Sequence, residues 1–121
     1  MPKMSIAIPT CESEGRGAEF IEDLFRTIEI QQFKDYNVWV SDQSVDNNVK
    51  NVCRAYQNQI NVEYIRNTEN RGNGPANTNN AIDLCDGEIV KVMFQDDFFY
   101  DDEALGKIYD ALSTSDKTWL V

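Results

Sequence analysis

Short apolar segments and amphipathic segments alternate along the whole chain of 121 residues, and this alternation constrains the fold more than any other feature. Between the apolar runs, apolar residues recur at i, i+3, i+4 and i+7, which is the spacing of one helix face. The pattern predicts five strands, at 4–10, 36–41, 60–66, 88–94 and 118–121. A β-α-β-α-β-α-β-α-β order predicts an α/β domain with a mainly parallel sheet flanked by helices.

Local signals mark where the predicted helices begin and end. Asp46 is a candidate N-cap, Pro75 suits a first helical turn, and Gly87 suits a helix end. The acids of 101–103 suit the start of the fourth helix, where negative charge is favourable. We expect residues 1–121 to form one domain. Because no helix follows the fifth strand to cover it, we also expect the chain to be the first half of something larger.

Composition excludes several classes of protein. The net charge of −10 and the absence of a basic cluster argue against binding to nucleic acid polymers or anionic membranes. No apolar run is long enough for a transmembrane helix, and the N-terminus lacks a signal-peptide core, so we expect a cytoplasmic protein. The sequence has no His, which excludes His-based metal sites and triads. Cys53 and Cys85 fit buried helix positions, whereas Cys11 lies where a strand meets a loop.

Conspicuous polar residues follow four of the predicted strands. In open α/β sheets, ligands bind at the carboxyl ends of the strands, where the winding direction reverses. Side chains from four such ends therefore converge on one edge of the sheet, and together they predict a binding site. The candidate residues are Thr10, Glu12, Asp42, Arg71, Asp96 and Asp97.

Asp96 and Asp97 are the strongest of these signals. Two adjacent carboxylates after an apolar strand repel each other, so the pair favours a bound cation. Hard oxygen ligands suit Mn²⁺ or Mg²⁺, which keep coordination positions open for phosphate oxygens. The alternative is a solvated acidic loop, and the pair alone does not decide between the two.

Asp42 and Arg71 each have a functional and a structural interpretation. Asp42 follows a buried-type strand, where its carboxylate could accept a hydrogen bond from a nucleobase N–H; the alternative is an Asx turn. Arg71 lies in the turn-rich segment 67–74, where a guanidinium suits phosphate or base oxygens; the alternative is a simple β-α turn. The glycines of this segment match neither the dinucleotide-binding fingerprint nor the P-loop.

Four segments together resemble the family 2 glycosyltransferases, which have the GT-A fold. They read SIAIPTCE, VSDQSVDN, NRGNGPANTNNAI and VKVMFQDDFFYDDEAL. The chain departs from the family pattern at three places. Residues 41–44 read Ser-Asp-Gln-Ser where the family has an Asp-Asp-Gly-Ser-like run, and 76–78 read Ala-Asn-Thr where it has Ala-Arg-Asn. The D-x-D motif is present as Gln95-Asp96-Asp97.

The resemblance implies a role for each candidate residue. Thr10 and Asp42 would contact the nucleobase, most often uracil, and Arg71 would lie near the base or the diphosphate. Asp96 would bind the ribose, and Asp97 would coordinate the Mn²⁺ or Mg²⁺ ion that bridges the diphosphate. Glu12, at the same strand end as Thr10, is included among the nucleotide-binding candidates.

The implied function is transfer of a sugar from a nucleotide-diphosphate sugar, most often a UDP-sugar, to a hydroxyl of an unknown saccharide, lipid or protein acceptor. In inverting members of the family the catalytic base lies on the second half of the domain, so no catalytic residue is named. The main alternative is a non-catalytic α/β module that binds a nucleotide or a protein, with self-association through the C-terminal strand. A nucleotidyltransferase fits less well because the loop at 11–17 is too acidic for a triphosphate.

Overall fold

The computed structural model describes residues 1–12 and 14–116 and confirms the α/β class. The strands and helices alternate in the order β1 Met4–Thr10, α1 Gly17–Glu29, β2 Tyr36–Asp42, α2 Asn48–Ile60, β3 Val62–Arg66, α3 Gly74–Leu84, β4 Ile89–Val92 and α4 Ala104–Ser113. The four strands form one parallel sheet in the order β3-β2-β1-β4. The chain winds outward from β1 to β3 and then returns to the other side of β1, so the winding direction reverses between β1 and β4.

The register of the sheet brings strand ends together. Thr10 pairs with Asp42 across β1 and β2, and Asp42 pairs with Arg66 across β2 and β3. Because all strands are parallel, these residues lie at one carboxyl edge. The loops that follow β1, β2, β3 and β4 therefore meet there.

The core lies between the sheet and the helices α1, α2 and α4. All seven residues of β1 are buried, as a central parallel strand requires. Helix α1 contributes the buried face that its spacing predicts, namely Ile21, Leu24, Phe25 and Ile28. Val38 and Val40 of β2 join this core, whereas Ser41, on the other side of the strand, contacts α3. Helix α3 therefore covers the opposite face of the sheet.

Several element boundaries differ from the predicted ones. Helix α2 continues to Ile60 and ends at Asn61, whose φ of 50° is left-handed, so β3 begins at Val62. The N-cap position of α2 is Asn47, and Asp46 instead accepts a hydrogen bond from the Asn48 N–H at 3.1 Å. Strand β4 ends at Val92, two residues earlier than predicted.

The acids before α4 lie outside the helix rather than in its first turn. Helix α4 begins at Ala104, and Asp101 accepts a hydrogen bond from the Glu103 N–H at 3.0 Å. Helix α3 packs against the sheet through Asn77 and Ala81, its two buried residues. Cys85 follows α3 and is half-buried, whereas Cys53 is buried in α2 as predicted.

Gly87 lies where the chain passes close to β1. A Cβ atom at this position would lie 2.5 Å from the main-chain nitrogen of Ser5, so only glycine fits without a backbone shift. The predicted strand at 118–121 lies outside the described residues. Within the described part of the chain, none of the helices combines the length and the apolar character that crossing a bilayer requires.

Candidate functional site

A cleft of about 700 Å³ opens at the carboxyl edge of the sheet, where the winding direction reverses. The end of β1 forms one wall, the loop after β4 forms another, and the N-terminal turns of α3 form a third. Its lining residues are Pro9, Thr10, Cys11, Phe20, Gln43, Gly74, Pro75, Asn77, Thr78, Asn79, Phe94, Gln95 and Asp96. Apolar rings and neutral polar groups predominate, with Asp96 as the charged member.

Asp42 lies beneath the cleft and not in its lining. Its side chain is 0% exposed. The Oδ1 atom accepts hydrogen bonds from the Thr10 hydroxyl at 2.9 Å and from the N–H and hydroxyl of Ser44 at 3.1 and 2.6 Å. The Oδ2 atom accepts a hydrogen bond from the Tyr64 hydroxyl at 2.6 Å. These neutral donors replace water around the buried carboxylate, as a buried charge requires.

The pKa of the Tyr64 hydroxyl is raised by this environment. Burial raises its pKa, and its hydrogen bond to Asp42 and the negative charge of Asp42 raise it further. Tyr64 therefore remains protonated across the physiological pH range and donates permanently to the carboxylate. Together, Asp42, Thr10, Ser44 and Tyr64 form a fixed polar cluster that joins the ends of the three strands β1 to β3.

Asn77 forms a second buried polar cluster on the other face of the sheet. Its Nδ2 donates to the main-chain oxygens of Thr10 at 3.2 Å and Ser41 at 3.0 Å. Its Oδ1 accepts from the Ser41 hydroxyl at 2.7 Å and from the Asn67 amide at 3.1 Å. One amide thus fixes the start of α3 against β1 and β2, which sets the position of the cleft wall.

Gln43 connects the end of β2 to the segment that carries Arg71. Its Nε2 donates to the main-chain oxygens of Glu69 at 3.1 Å and Asn70 at 3.0 Å. The Arg71 side chain is exposed and lies outside the cleft lining. It is close enough to Cys11 for its positive charge to oppose the rise in the Cys11 pKa that burial and Asp42 cause.

Glu12 also lies outside the cleft lining, and both of its carboxylate oxygens have partners. Oε2 accepts from the Gly17 N–H at the start of α1, and Oε1 accepts from the Asn48 side chain at 3.2 Å. Its own N–H donates to the Ser44 hydroxyl at 2.6 Å. These contacts give Glu12 a role in holding the loop after β1, and its contact with a nucleotide stays a prediction.

The loop after β4 is held by Gln95. Its Oε1 accepts from the Cys11 N–H at 2.9 Å, and its Nε2 donates to the Cys11 carbonyl at 3.0 Å. Asp97 closes a tight turn, with its Oδ2 accepting from the Phe94 N–H and its own N–H donating to the Phe94 carbonyl, both at 2.9 Å. Between them, Asp96 is exposed and lines the cleft.

The structure therefore brings some predicted site residues together and separates others. Thr10 and Asp96 both line the cleft, and Asp42 supports Thr10 from below. Asp97 directly follows Asp96 on the exposed side of the loop. Among residues 1–12 and 14–116, no group of three or more acidic or Cys side chains could hold a metal ion unaided. A cation beside Asp97 would need further oxygen ligands from a bound substrate and from water.

Three amide residues of the site were not predicted, namely Gln43, Asn77 and Gln95. Each lies at a position where the chain departs from the family pattern, and that departure was the signal that could have identified them. Each amide both donates and accepts, or donates twice, so a carboxylate could not replace it without losing contacts.

Comparisons with known proteins find relatives in sequence and in fold. A Campylobacter jejuni protein named GalNAc(5)-diNAcBac-PP-undecaprenol beta-1,3-glucosyltransferase is 35% identical over 99 residues, which are 80% of this chain and 30% of that protein. The structure of S. aureus TarS 1–349 in complex with UDP matches with a TM-score of 0.75 and 27% identity, over 92% of this chain and 31% of that chain. The structure of the same protein in complex with UDP-GlcNAc matches with a TM-score of 0.75 and 26% identity, over 92% of this chain and 30% of that chain.

The chain thus spans a little under a third of the length of these relatives. The sequence profile of Glycosyl transferase family 2 matches residues 5–120, which is nearly the whole chain. The chain belongs to Glycosyl transferase family 2.

Proposed function

We propose that this chain is the donor-binding part of a glycosyltransferase that transfers a sugar from a UDP-sugar to an acceptor hydroxyl with the help of a divalent metal ion. The observation that carries the proposal is the cleft at the reversal point of the sheet, which has the size and apolar lining of a small-molecule site. It has neutral polar groups at the β1 and α3 walls and one carboxylate at the β4 wall. A nucleoside fits this distribution because its base is flat and largely apolar, whereas its ribose hydroxyls suit a carboxylate.

Thr10 and Asp96 have direct roles in this proposal. Asp96 accepts hydrogen bonds from the ribose hydroxyls, and Thr10, held by Asp42, contacts the base. Asp42 acts through Thr10, because its own oxygens already have donors. Arg71 contacts the base or the diphosphate from the segment that Gln43 holds.

The metal proposal rests on the donor set of the loop after β4. Asp96 and Asp97 are both exposed, and the Oδ1 atom of Asp97 remains available while Oδ2 holds the turn. Mg²⁺ and Mn²⁺ are commonly bound by one or two carboxylates together with substrate phosphates and water, so these residues fit such an ion. When bound, the ion would neutralise the charge of the leaving diphosphate.

Charge explains why such an ion would be needed. The chain carries a net charge of −10, which disfavours an approaching diphosphate. The first turns of α3 line the cleft, and a helix N-terminus favours anions, but this effect is modest beside the net charge. A cation at Asp97 would supply the missing local positive charge.

The test is calorimetric titration of UDP into the chain with Mn²⁺ and again with EDTA. Asp97→Asn retains an oxygen that can accept from the Phe94 N–H, so the turn is preserved while the carboxylate is removed. Asp83→Asn, at an exposed position on α3, removes the same charge away from the cleft and is the matched control. We expect saturable binding with Mn²⁺ that EDTA abolishes, that Asp97→Asn weakens at least about 10-fold, and that Asp83→Asn leaves unchanged.

The possible results separate the parts of the proposal. No binding of UDP by a chain that circular dichroism shows to be folded would refute the donor site. Equal binding in Mn²⁺ and in EDTA would refute the requirement for a metal ion but not the nucleotide site.

A partner-binding role without turnover has one observation in its favour. Three aromatic side chains that follow β4 are exposed, with Phe94 at 51%, Phe98 at 67% and Tyr100 at 93%. Grouped exposed aromatics are typical of surfaces that bind another protein or another part of the same protein. Self-association that rises with concentration in sedimentation velocity, together with no affinity for UDP, would support this second function. The C-terminal strand predicted to mediate self-association lies outside the described residues.

A further inference from the structure

We propose that the Oε1 atom of Gln43 reads the nucleobase by accepting a hydrogen bond from its ring N–H, and so makes the site selective for UDP over CDP. This inference rests on the proposed function, because it assigns a residue to the base end of that cleft. Gln43 occupies the position at which the family pattern has glycine, so the side chain is a property of this chain.

The orientation of the Gln43 amide is fixed by its partners. Both groups that face its nitrogen are main-chain carbonyls, of Glu69 at 3.1 Å and Asn70 at 3.0 Å. Carbonyl oxygens only accept, so the nitrogen and not the oxygen must face them. The two N–H groups are thus both used, and Oε1 is the remaining polar atom of the side chain.

That oxygen has no hydrogen-bond donor within the part of the chain that the structure describes. Gln43 is 5% exposed and nevertheless lines the cleft. Within the described residues, Trp39 Nε1 is the fully buried side-chain polar atom that lacks a partner, so Gln43 Oε1 is instead open to the cleft and accessible to water. A ligand N–H in the cleft would take the place of that water.

The neighbouring acid cannot take this role without rearrangement. Asp42 is fully buried, does not line the cleft, and already receives hydrogen bonds from Thr10, Ser44 and Tyr64. At the end of β2, the acceptor that reaches the cleft is therefore an amide oxygen one residue further along.

An acceptor at this position distinguishes uracil from cytosine, because the two bases differ at N3. Uracil presents N3–H, a donor, between its two carbonyl oxygens. Cytosine presents an unprotonated N3 at the same place, and its lone pair would face Oε1 without a hydrogen bond. A site built to bond an N–H disfavours the analogue that lacks it, because its own polar group is left unpaired.

The experiment measures the dissociation constants of UDP and CDP for the wild-type chain and for Gln43→Met. Methionine has a similar length and no acceptor oxygen. We expect the wild type to bind UDP at least about 10-fold more tightly than CDP, and the variant to bind them within about twofold of each other. Gln57→Met, at an exposed position on α2, is the matched control and should retain the wild-type ratio.

The ratio of the UDP and CDP dissociation constants distinguishes recognition of the base by Gln43 from a purely structural role of this residue. Loss of the contacts to Glu69 and Asn70 would also loosen the segment around Arg71, which is proposed to contact the base or the diphosphate. Arg71→Met keeps Gln43 and isolates that effect; its ratio of UDP to CDP dissociation constants should stay at the wild-type value, and a ratio that collapses there too would overturn the inference. A UDP preference that persists in Gln43→Met would likewise overturn the inference while the proposed function stands. Failure of the wild type to bind either nucleotide would instead refute the proposed function.

A measurement on the wild type covers the case in which Gln43→Met does not fold. In a ¹³C-labelled chain, the side-chain carbonyl carbon of Gln43 should shift when UDP is added at saturation, and should shift less with CDP. Saturation with UDP without any shift of that carbon would overturn the inference.

Discussion

Replacing Gln95 by Glu tests the most specific contact of the site. The Gln95 amide accepts from the Cys11 N–H at 2.9 Å and donates to the Cys11 carbonyl at 3.0 Å, so it joins two loops that are 84 residues apart in sequence. Glutamate has the same shape and retains the first contact. Its second oxygen is an acceptor that faces another acceptor, because a carboxylate has no proton to donate.

The magnitude follows from these two contacts. The variant loses one hydrogen bond, worth about 1 kcal/mol net, and places a carboxylate oxygen against a carbonyl oxygen. Because Cys11 is exposed and Gln95 only half-buried, water screens the repulsion, and we expect a total destabilisation of about 1–2 kcal/mol. For a chain of this size that corresponds to a fall of roughly 4–8 °C in Tm.

The destabilisation should depend on pH with a defined sign. An ordinary glutamate has a pKa of about 4.3, and the facing carbonyl raises the pKa of the introduced acid in the folded state. Below about pH 4.3 the acid is protonated in both the folded and the unfolded chain. It can then donate to the Cys11 carbonyl, so the destabilisation disappears. As pH rises through the folded-state pKa the destabilisation returns, and it reaches its full size near neutral pH.

Urea denaturation of wild type and Gln95→Glu at pH 7.5 and pH 4 measures this difference. Gln57→Glu adds the same charge on an exposed part of α2 and controls for net charge, with an expected change within about 0.5 kcal/mol at either pH. If Gln95→Glu lowers the free energy of unfolding no more than Gln57→Glu does, or lowers it equally at both pH values, the role assigned to the amide is refuted.

Other predictions concern packing and thiol reactivity. Gly87→Ala places a Cβ atom 2.5 Å from a main-chain nitrogen of β1 and should cost about 2–4 kcal/mol in urea denaturation, whereas Gly74→Ala meets nothing within 4 Å and should stabilise by up to about 1 kcal/mol. Gln31→Leu removes a fully buried amide that contacts a carbonyl of α1, a carbonyl before α4 and an N–H of α4; the change should cost about 2–4 kcal/mol by the same assay. In thiol labelling at pH 8, Cys11 should react in the folded chain, whereas Cys53, whose pKa burial raises to about 12, should react only in denaturant.

The fold was largely predictable because its signals are local and repeated. Apolar spacing located α1 and the fully buried β1, and the alternation of elements gave the parallel sheet. The errors lie where a single residue decides a boundary. Asn61 adopts a left-handed conformation that ends α2, and nothing in the apolar pattern distinguishes this residue from the start of a strand.

The site was only partly predictable because its organisation depends on contacts between distant parts of the chain. The position of Asp96 after an apolar strand suggested a site, and it lines the cleft. Glu12 likewise lies in the loop that follows a strand, β1, yet its oxygens contact Gly17 and Asn48. Sequence position could not separate these two acids, because what differs between them is which donors the folded loops bring near.

The same contacts explain how a strongly acidic chain can keep a carboxylate free for a ligand. The Asp42 carboxylate receives O–H donors from β1, from its own loop and from β3, and the Glu12 carboxylate receives N–H donors from the starts of α1 and α2, so both charges have partners within the protein. The loops themselves are held by the neutral amides of Gln43 and Gln95, which add no further negative charge to the cleft. Asp96 is then the cleft acid whose oxygens have no donor among the described residues, so its carboxylate is free for a substrate hydroxyl or a cation. A site built in this way needs no movement of its loops to expose that group, because the amide contacts hold it in place beforehand.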